Sequence, residues 1–251
     1  MTDLLWRSHQ VPRYKSQIPG GWIYNPGKKV TAGLIIMPDD KNSWDEDYRR
    51  RGLLWGGSVR HLPGLFPGVR ILELGCGDGK SLHAMAGRGW EVVAIDSSPE
   101  ASTLCRDRTG GETCDRVIIA DARACPFRDA SFDVIFATHV IGHLPFSGRL
   151  RISREIHRLL RAPGTLFFAD FSDRDFRYGT GTETEPGTFR RGTGIITHYF
   201  TMDEITELFS QFTAGSITEH PWSMRVRGKD LKRSEIHGEF LKTITRSRSS
   251  F

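Results

Sequence analysis

The chain has 251 residues, 38% of them hydrophobic and 26% charged, with a net charge of +5 and a pI near 9.2. That length carries one large α/β domain with additions, or at most two small ones, and buries a sizeable core. The balance excludes a disordered chain, and no apolar run approaches the roughly 18 residues that span a bilayer.

Met1 to Arg7 shows no basic stretch followed by an apolar one, so no secretory signal is read and the expected location is the cytoplasm. Cys76, Cys105, Cys114 and Cys125 form no C-x-x-C pair. That points to reduced structural thiols rather than zinc or redox chemistry, and no metal is expected. The modest positive charge is compatible with an anionic small molecule or RNA and requires neither. No membrane partner is expected, and monomer and homodimer both remain open.

Residues 1–43 are rich in Gly, Pro and single aromatics without a sustained period, and read as an irregular cap. Trp44 to Leu54 reads as a helix, acids first and arginines last, with Ser43 as its N-cap. Strands are expected at Val69–Leu74, Glu91–Ile95, Val117–Ala120, Phe132–Thr138 and Thr165–Phe171. Helices are expected between them at Lys80–Arg88, at Pro99–Arg108 capped by Ser97 or Ser98, and at Gly148–Leu160. The last presents Leu150, Ile152, Ile156, Leu159 and Leu160 on an inner stripe. This alternation implies βαβ units and a doubly wound, mostly parallel sheet. The polar, Gly- and Thr-rich stretch 172–198 reads as a functional lid or a disordered loop. Asp203–Phe212 resumes as a helix with a Thr201–Glu204 capping box, and Ser216–Glu219 and Ile236–Lys242 are late strands. The expected division is a cap and covering helix at 1–62, a catalytic domain at 63–245 with a substrate-side insertion at 172–200, and a basic tail at 246–251.

Glu73-Leu74-Gly75-Cys76-Gly77-Asp78-Gly79 lies between a strand and a helix, at the sheet edge where doubly wound folds bind ligands. Glycines there let a ligand approach the backbone. Asp96 ends the second strand, at the distance where an acid takes ribose hydroxyls. The spacing is G-x-G-x-G rather than G-x-G-x-x-G, and no G-K-[S/T] completes a P-loop. Glu73 and Asp78 flank a point where a diphosphate would be repelled, whereas S-adenosylmethionine (SAM) brings a sulfonium and an ammonium that acids attract. Asp121 and Ala122, after the third strand, suit the adenine amino group and a ring nitrogen.

Residues 69–171 resemble the class I SAM-dependent methyltransferases, particularly the small-molecule group with ubiquinone-biosynthesis and tellurite-resistance types. The resemblance rests on ILELGCGDG, VVAIDSS, IIADARACPF, SFDVIFATHVIGHL and EIHRLLRAPGTLFFADF. It implies a seven-stranded Rossmann-like sheet with SAM as methyl donor and S-adenosylhomocysteine (SAH) as product. By the same resemblance Glu73, Gly75, Cys76 and Gly77 hold the methionine part, Asp96 with Ser97 the ribose, and Asp121 with Ala122 the adenine. Thr138 and His139 match positions beside the sulfonium. One departure is Pro163-Gly164-Thr165, where the family usually has Pro-Gly-Gly. WDEDYRRRGLLWGG resembles the family's cofactor-covering helix, which makes Trp44, Tyr48 and Trp55 candidates to line the pocket.

Methyl transfer is an in-line displacement, governed by alignment and needing a base only where the acceptor must lose a proton. His139, His143, Asp170, Asp173 and His198 are the candidate bases, and the histidines are the catalytic candidates carried forward. The insertion supplies Arg174, Arg177, Tyr178, Arg190 and Tyr199 as candidate acceptor contacts, in a stretch that also holds Phe189 and Arg191. Arginines there suit a carboxylate or phosphate. The leading expectation is a small-molecule methyltransferase. The alternatives are one acting on RNA or protein, and a SAM-binding protein without catalysis.

Overall fold

The computed structural model describes residues 38–53, 62–110, 116–226 and 228–244. Its elements are α1 (Pro38–Arg51), β1 (Arg70–Leu74), α2 (Lys80–Met85), β2 (Glu91–Asp96), α3 (Pro99–Thr109), β3 (Val117–Ile119) and β4 (Phe132–Thr138). A short 3₁₀ turn at Ile141–His143 precedes α4 (Phe146–Leu159) and β5 (Leu160–Phe171). Then follow β6 (Thr182–Glu185), β7 (Thr188–Arg190), β8 (Ile196–His198), α5 (Met202–Leu208), β9 (Thr213–Val226) and β10 (Lys229–Lys242).

The main sheet runs β3-β2-β1-β4-β5-β10-β9, parallel except where β10 opposes both neighbours. Its apolar strands are buried on both faces, as parallel strands must be when helices cover each side. Leu72, Leu74, Ile95, Ile135 and Phe168 pack with Ile152 and Ile156 of α4 and Ile205 of α5. Ile71, Ala94, Val134 and Phe136 face the other way, onto Leu82 and Met85 of α2 and Cys105 of α3. The reversal of chain order between β1 and β4 opens a crevice at the carboxyl edge, which positions the site.

Several expectations are corrected. Ser43 lies inside α1, which begins at Pro38, so it is not the N-cap. Leu160 starts β5 rather than ending α4, because the chain turns directly from helix into extended backbone there. Residues 172–198 are not a disordered loop. They contain the antiparallel sheet β6-β7-β8, which is docked on the β4–α4 connection. The Phe146 amide donates to Glu185 Oε2 (2.8 Å), and buried Arg149 faces both Glu185 and the Thr188 hydroxyl. The late strands form a hairpin of 14 residues a side, longer than either expected strand. Trp55, residues 1–37 and the tail 246–251 lie outside the described residues.

Candidate functional site

β1 is too buried to continue outward, and the chain leaves it through a turn that only glycine satisfies. Gly75, Gly77 and Gly79 have φ of 66°, 53° and 80°. A Cβ on Gly75 would stand 2.7 Å from Val140 Cγ2, and one on Gly79 2.7 Å from Cys105 Sγ. The turn is tied down by its own amides. Cys76 N–H donates to the Ile95 carbonyl (3.0 Å), Gly77 N–H to Asp96 Oδ2 (2.9 Å), and Gly79 N–H to the Cys76 carbonyl (2.9 Å). Three amides that a phosphate cradle would need are therefore engaged internally.

Asp96 brackets two loops, because its other oxygen accepts from Ser98 N–H at 2.9 Å, and the Ser97 amide also supports the carboxylate. Burial raises its pKa, and these amides oppose that rise. Ser98, not Ser97, caps α3, accepting from Ala101 N–H at 3.0 Å. Asp45 of α1 accepts from the Ser98 hydroxyl and from Glu100 N–H, and so seats α1 on the positive end of α3. The sequence reading counted Asp45 only as a first-turn acid.

Glu73, at the end of β1, is buried, and burial is the main cause that lifts its pKa to about 8. The Ser81 hydroxyl opposes this, while Asp96 and Asp78 add repulsion. Glu73 Oε2 has no hydrogen-bond partner among the described residues. Asp78 does not take the part expected of it. It is fully buried and paired with Arg108 at 3.0 Å.

Beyond β3, Arg123 grips Asp121 through Nε and Nη2, at 2.9 and 2.8 Å to its two oxygens. Burial alone would raise the Asp121 pKa, but the bonds from Arg123 reverse this and hold it low. Ala122 packs at the margin of the core beside it.

At the end of β4, Thr138 is exposed and His139 adopts φ of 51°. The His139 ring stacks on Phe171 (4.3 Å between centroids). Its Nε2 lies 3.1 Å from Glu235 Oε1, and its Nδ1 3.7 Å from Asp170 Oδ1. Burial disfavours the charged ring, but the two carboxylates outweigh it and hold the pKa at about 9. The two carboxylates thus hold His139 toward its imidazolium form in the free protein. Asp170 is fully buried and bonded to Gly142 N–H and Phe171 N–H, a positioning residue rather than a free carboxylate. Asp173 is exposed.

His143 is the opposite case. Its Nδ1 stands 2.7 Å from the Ile196 carbonyl, which can only accept, so Nδ1 carries the proton and Nε2 the lone pair. Burial is the chief cause that lowers its pKa, keeping it neutral. Trp44 of α1 sets its ring edge-on to this imidazole at 4.8 Å and lies 5.8 Å from the Tyr48 ring. Trp44 and Tyr48 thus place the aromatic face of α1 beside His143. His198 has both nitrogens occupied, by the Thr188 hydroxyl (2.8 Å) and Glu204 Oε1 (2.7 Å), and fastens β7 and β8 to α5.

On the insertion side, Phe171, Phe189 and Tyr199 form a buried aromatic cluster, with Tyr178 edge-on to Phe189 at 5.2 Å. Most of its arginines are consumed internally. Arg174 pairs with Glu219 (2.8 Å) and Arg190 reaches the Gly194 carbonyl (2.9 Å). Arg177 and Arg233 share the buried carboxylate of Asp175, at 2.7 and 2.6 Å. Arg177 and Arg233 also lie over the Phe171 ring, at 3.8 and 4.9 Å. Asp175, Glu235 and Arg233 were not singled out from sequence, because hairpin partners far along the chain leave no local signal.

A family profile described as a methyltransferase domain matches residues 72–168. A SAM-dependent methyltransferase from Methanosarcina mazei superimposes with a TM-score of 0.60 at 26% identity, over 72% of this chain and 95% of that one. Residues 72–168 thus match a methyltransferase domain, and the chain is similar in fold to SAM-dependent methyltransferases. Its curated relatives include the 2-methyl-6-phytyl-1,4-hydroquinone methyltransferase of Synechocystis sp., 32% identical over 49% of this chain and 37% of that protein. A ubiquinone biosynthesis O-methyltransferase of Xanthomonas campestris is 28% identical over 64% of this chain and 71% of its own length. The chain spans only about two-fifths of the length of the first curated relatives it matches. Among the described residues, no helix is long and apolar enough to cross a membrane.

Proposed function

We propose that the protein transfers the methyl group of SAM to a small-molecule acceptor, with His143 as the proton acceptor. The observation that carries the reading is the unpartnered, buried Glu73 Oε2 beside a glycine turn whose amides are engaged. A buried acid without a partner is costly. The ammonium of the methionine part would supply the missing charge, and a pyrophosphate would be repelled.

When bound, SAM supplies an electrophilic methyl group. The chain's own residues do the rest. Gly75 and Gly77 let the methionine part approach the backbone, with Glu73 facing its ammonium and Cys76 in the turn. Asp96 and Ser97 receive the ribose, and Asp121 with Ala122 the adenine. Thr138 and the His139 imidazolium close the carboxyl edge of β4. His143 Nε2 takes the proton of a hydroxyl or amine as it attacks, with Nδ1–H anchored on the Ile196 carbonyl. The insertion at 172–200, with Tyr178 and Tyr199, walls the acceptor side of a catalytic domain spanning 63–245. The printed names of the hydroquinone, rifamycin and ubiquinone relatives support a small molecule over RNA or protein. A cytoplasmic location accords with the free, buried Cys76, Cys105 and Cys125.

Titration calorimetry with SAM tests the reading. The wild-type protein should bind it, and Asp96→Ala should lose binding while its melting curve stays cooperative. Tight binding of NADH or ATP in place of SAM would overturn it.

A further inference from the structure

Arg191 differs from every other arginine of the insertion. It sits in the tight turn between β7 and β8, where its amide bonds the Ile195 carbonyl (3.2 Å) and its carbonyl accepts from Gly194 N–H (2.9 Å). Gly194, at φ of 82°, lies against α1: a Cβ there would stand 2.7 Å from Ser43 Oγ, one residue before the Trp44 that flanks His143. The guanidinium donates one N–H to the Tyr199 hydroxyl, while its Nε is buried and has no partner. No carboxylate lies within ion-pair distance of it among the described residues. Its charge reaches both His143 and Tyr199. A half-buried guanidinium with an unsatisfied Nε is expensive to maintain without an anion. Its Nε–H therefore lacks an acceptor beside an Nη2 held by Tyr199, and a carboxylate oxygen is the acceptor that a guanidinium binds most strongly.

We propose that Arg191 is a carboxylate-recognition residue, and that the methyl acceptor is a carboxylate-bearing small molecule whose nucleophile this contact aligns with His143. The word acceptor rests on the methyl-transfer reading above; the anion site itself does not. The aromatic cluster of Phe171, Phe189 and Tyr199, with half-exposed Tyr178, gives the rest of such a molecule an aromatic wall. The carboxylate has two possible sources, the acceptor or the methionine part of the cofactor, and the proposal commits to the acceptor.

The test is calorimetry with 4-hydroxybenzoate and its neutral analogue 4-hydroxybenzamide, titrated into the protein with and without saturating SAH. Wild type should prefer the acid by about tenfold or more, the worth of one charge-assisted pair. Arg191→Met should bring that ratio to about one, Arg191→Lys should restore part of it, and SAH affinity should stay within about twofold in both. Equal affinity for acid and amide in wild type overturns the proposal, as does an acid preference that survives in Arg191→Met. Loss of SAH affinity in Arg191→Met with the preference retained assigns the guanidinium to the cofactor and also overturns it. Failure of wild type to bind SAH would instead sink the methyl-transfer reading, and the titrations without SAH would still decide Arg191.

Discussion

The two walls of the crevice are built from different materials. The cofactor wall is mostly backbone: three glycines in left-handed conformation, amides bonded to Asp96 and Ile95, and one carboxylate bridging two adjacent loops. The acceptor wall is mostly side chain: Asp175 between Arg177 and Arg233, Glu235 against His139, His198 between Thr188 and Glu204. A wall of backbone has one solution and tolerates little substitution. A wall of paired side chains is re-specified by changing partners, so it can serve a new acceptor without disturbing the fold.

The largest expected effect breaks the backbone wall. Gly75→Arg places a Cβ in a left-handed residue and into Val140, so SAH affinity should fall by at least about 100-fold, with a stability loss of about 2 kcal/mol. Calorimetry and a urea melt measure the two. Retained affinity would mean the turn is more plastic than its bonding implies. The corresponding break on the other wall is Asp175→Asn. It leaves two largely buried guanidinium groups facing a neutral amide, and should cost about 2 kcal/mol while SAH affinity holds. A parallel loss of SAH binding would erase the distinction between the walls.

A smaller effect sharpens the electrostatics of the cofactor wall. Glu73, with its pKa raised to about 8, is protonated near neutrality in the free protein. An ammonium favours the carboxylate form, so SAH binding must expel the proton. Affinity should therefore rise with pH, by up to about tenfold per unit, and level off above about 8. In the free protein the same shift acts on stability with the opposite sign. The contribution of protonated Glu73 is complete below its unfolded value of 4.5 and is lost as pH rises through about 8. Glu73→Gln should flatten the affinity profile; an unchanged slope would take Glu73 out of the ammonium's reach.

The same contrast explains what could be read from sequence. The alternation of apolar strands and helices specifies β1 to β5, because burial on both faces leaves a local pattern. The glycine turn and Asp96 are contiguous with those strands and legible with them. The pairing of Asp78 was not legible, because its partner Arg108 lies on α3, 30 positions further along the chain. The stretch 172–198 read as loop because β6, β7 and β8 are only three or four residues long, and they dock on Arg149 and His143 far from them in the chain. Arg174, Arg177 and Arg190 looked as available as Arg191 until their partners were placed. For Arg177, one of the neighbours sharing its acid, Arg233, binds it across 58 positions of chain.

The smallest effect lies where a local signal and a long-range one meet. Thr201 and Glu204 read as a capping box, and the Thr201 hydroxyl does accept Glu204 N–H at 3.2 Å. The Glu204 side chain does not return to the cap. It binds His198 Nε2 at 2.7 Å, and this pairing lowers its pKa despite the opposing effect of burial. The cap and the ion pair are thus separable. Thr201→Ala should cost about 1 kcal/mol in a urea melt, the worth of one N-cap bond, and leave the His198–Glu204 pair intact. Glu204→Gln in the same background should then cost a further, additive increment. If the double variant loses no more than Thr201→Ala alone, Glu204 was acting through the cap, and β8 is held to α5 by packing rather than by charge.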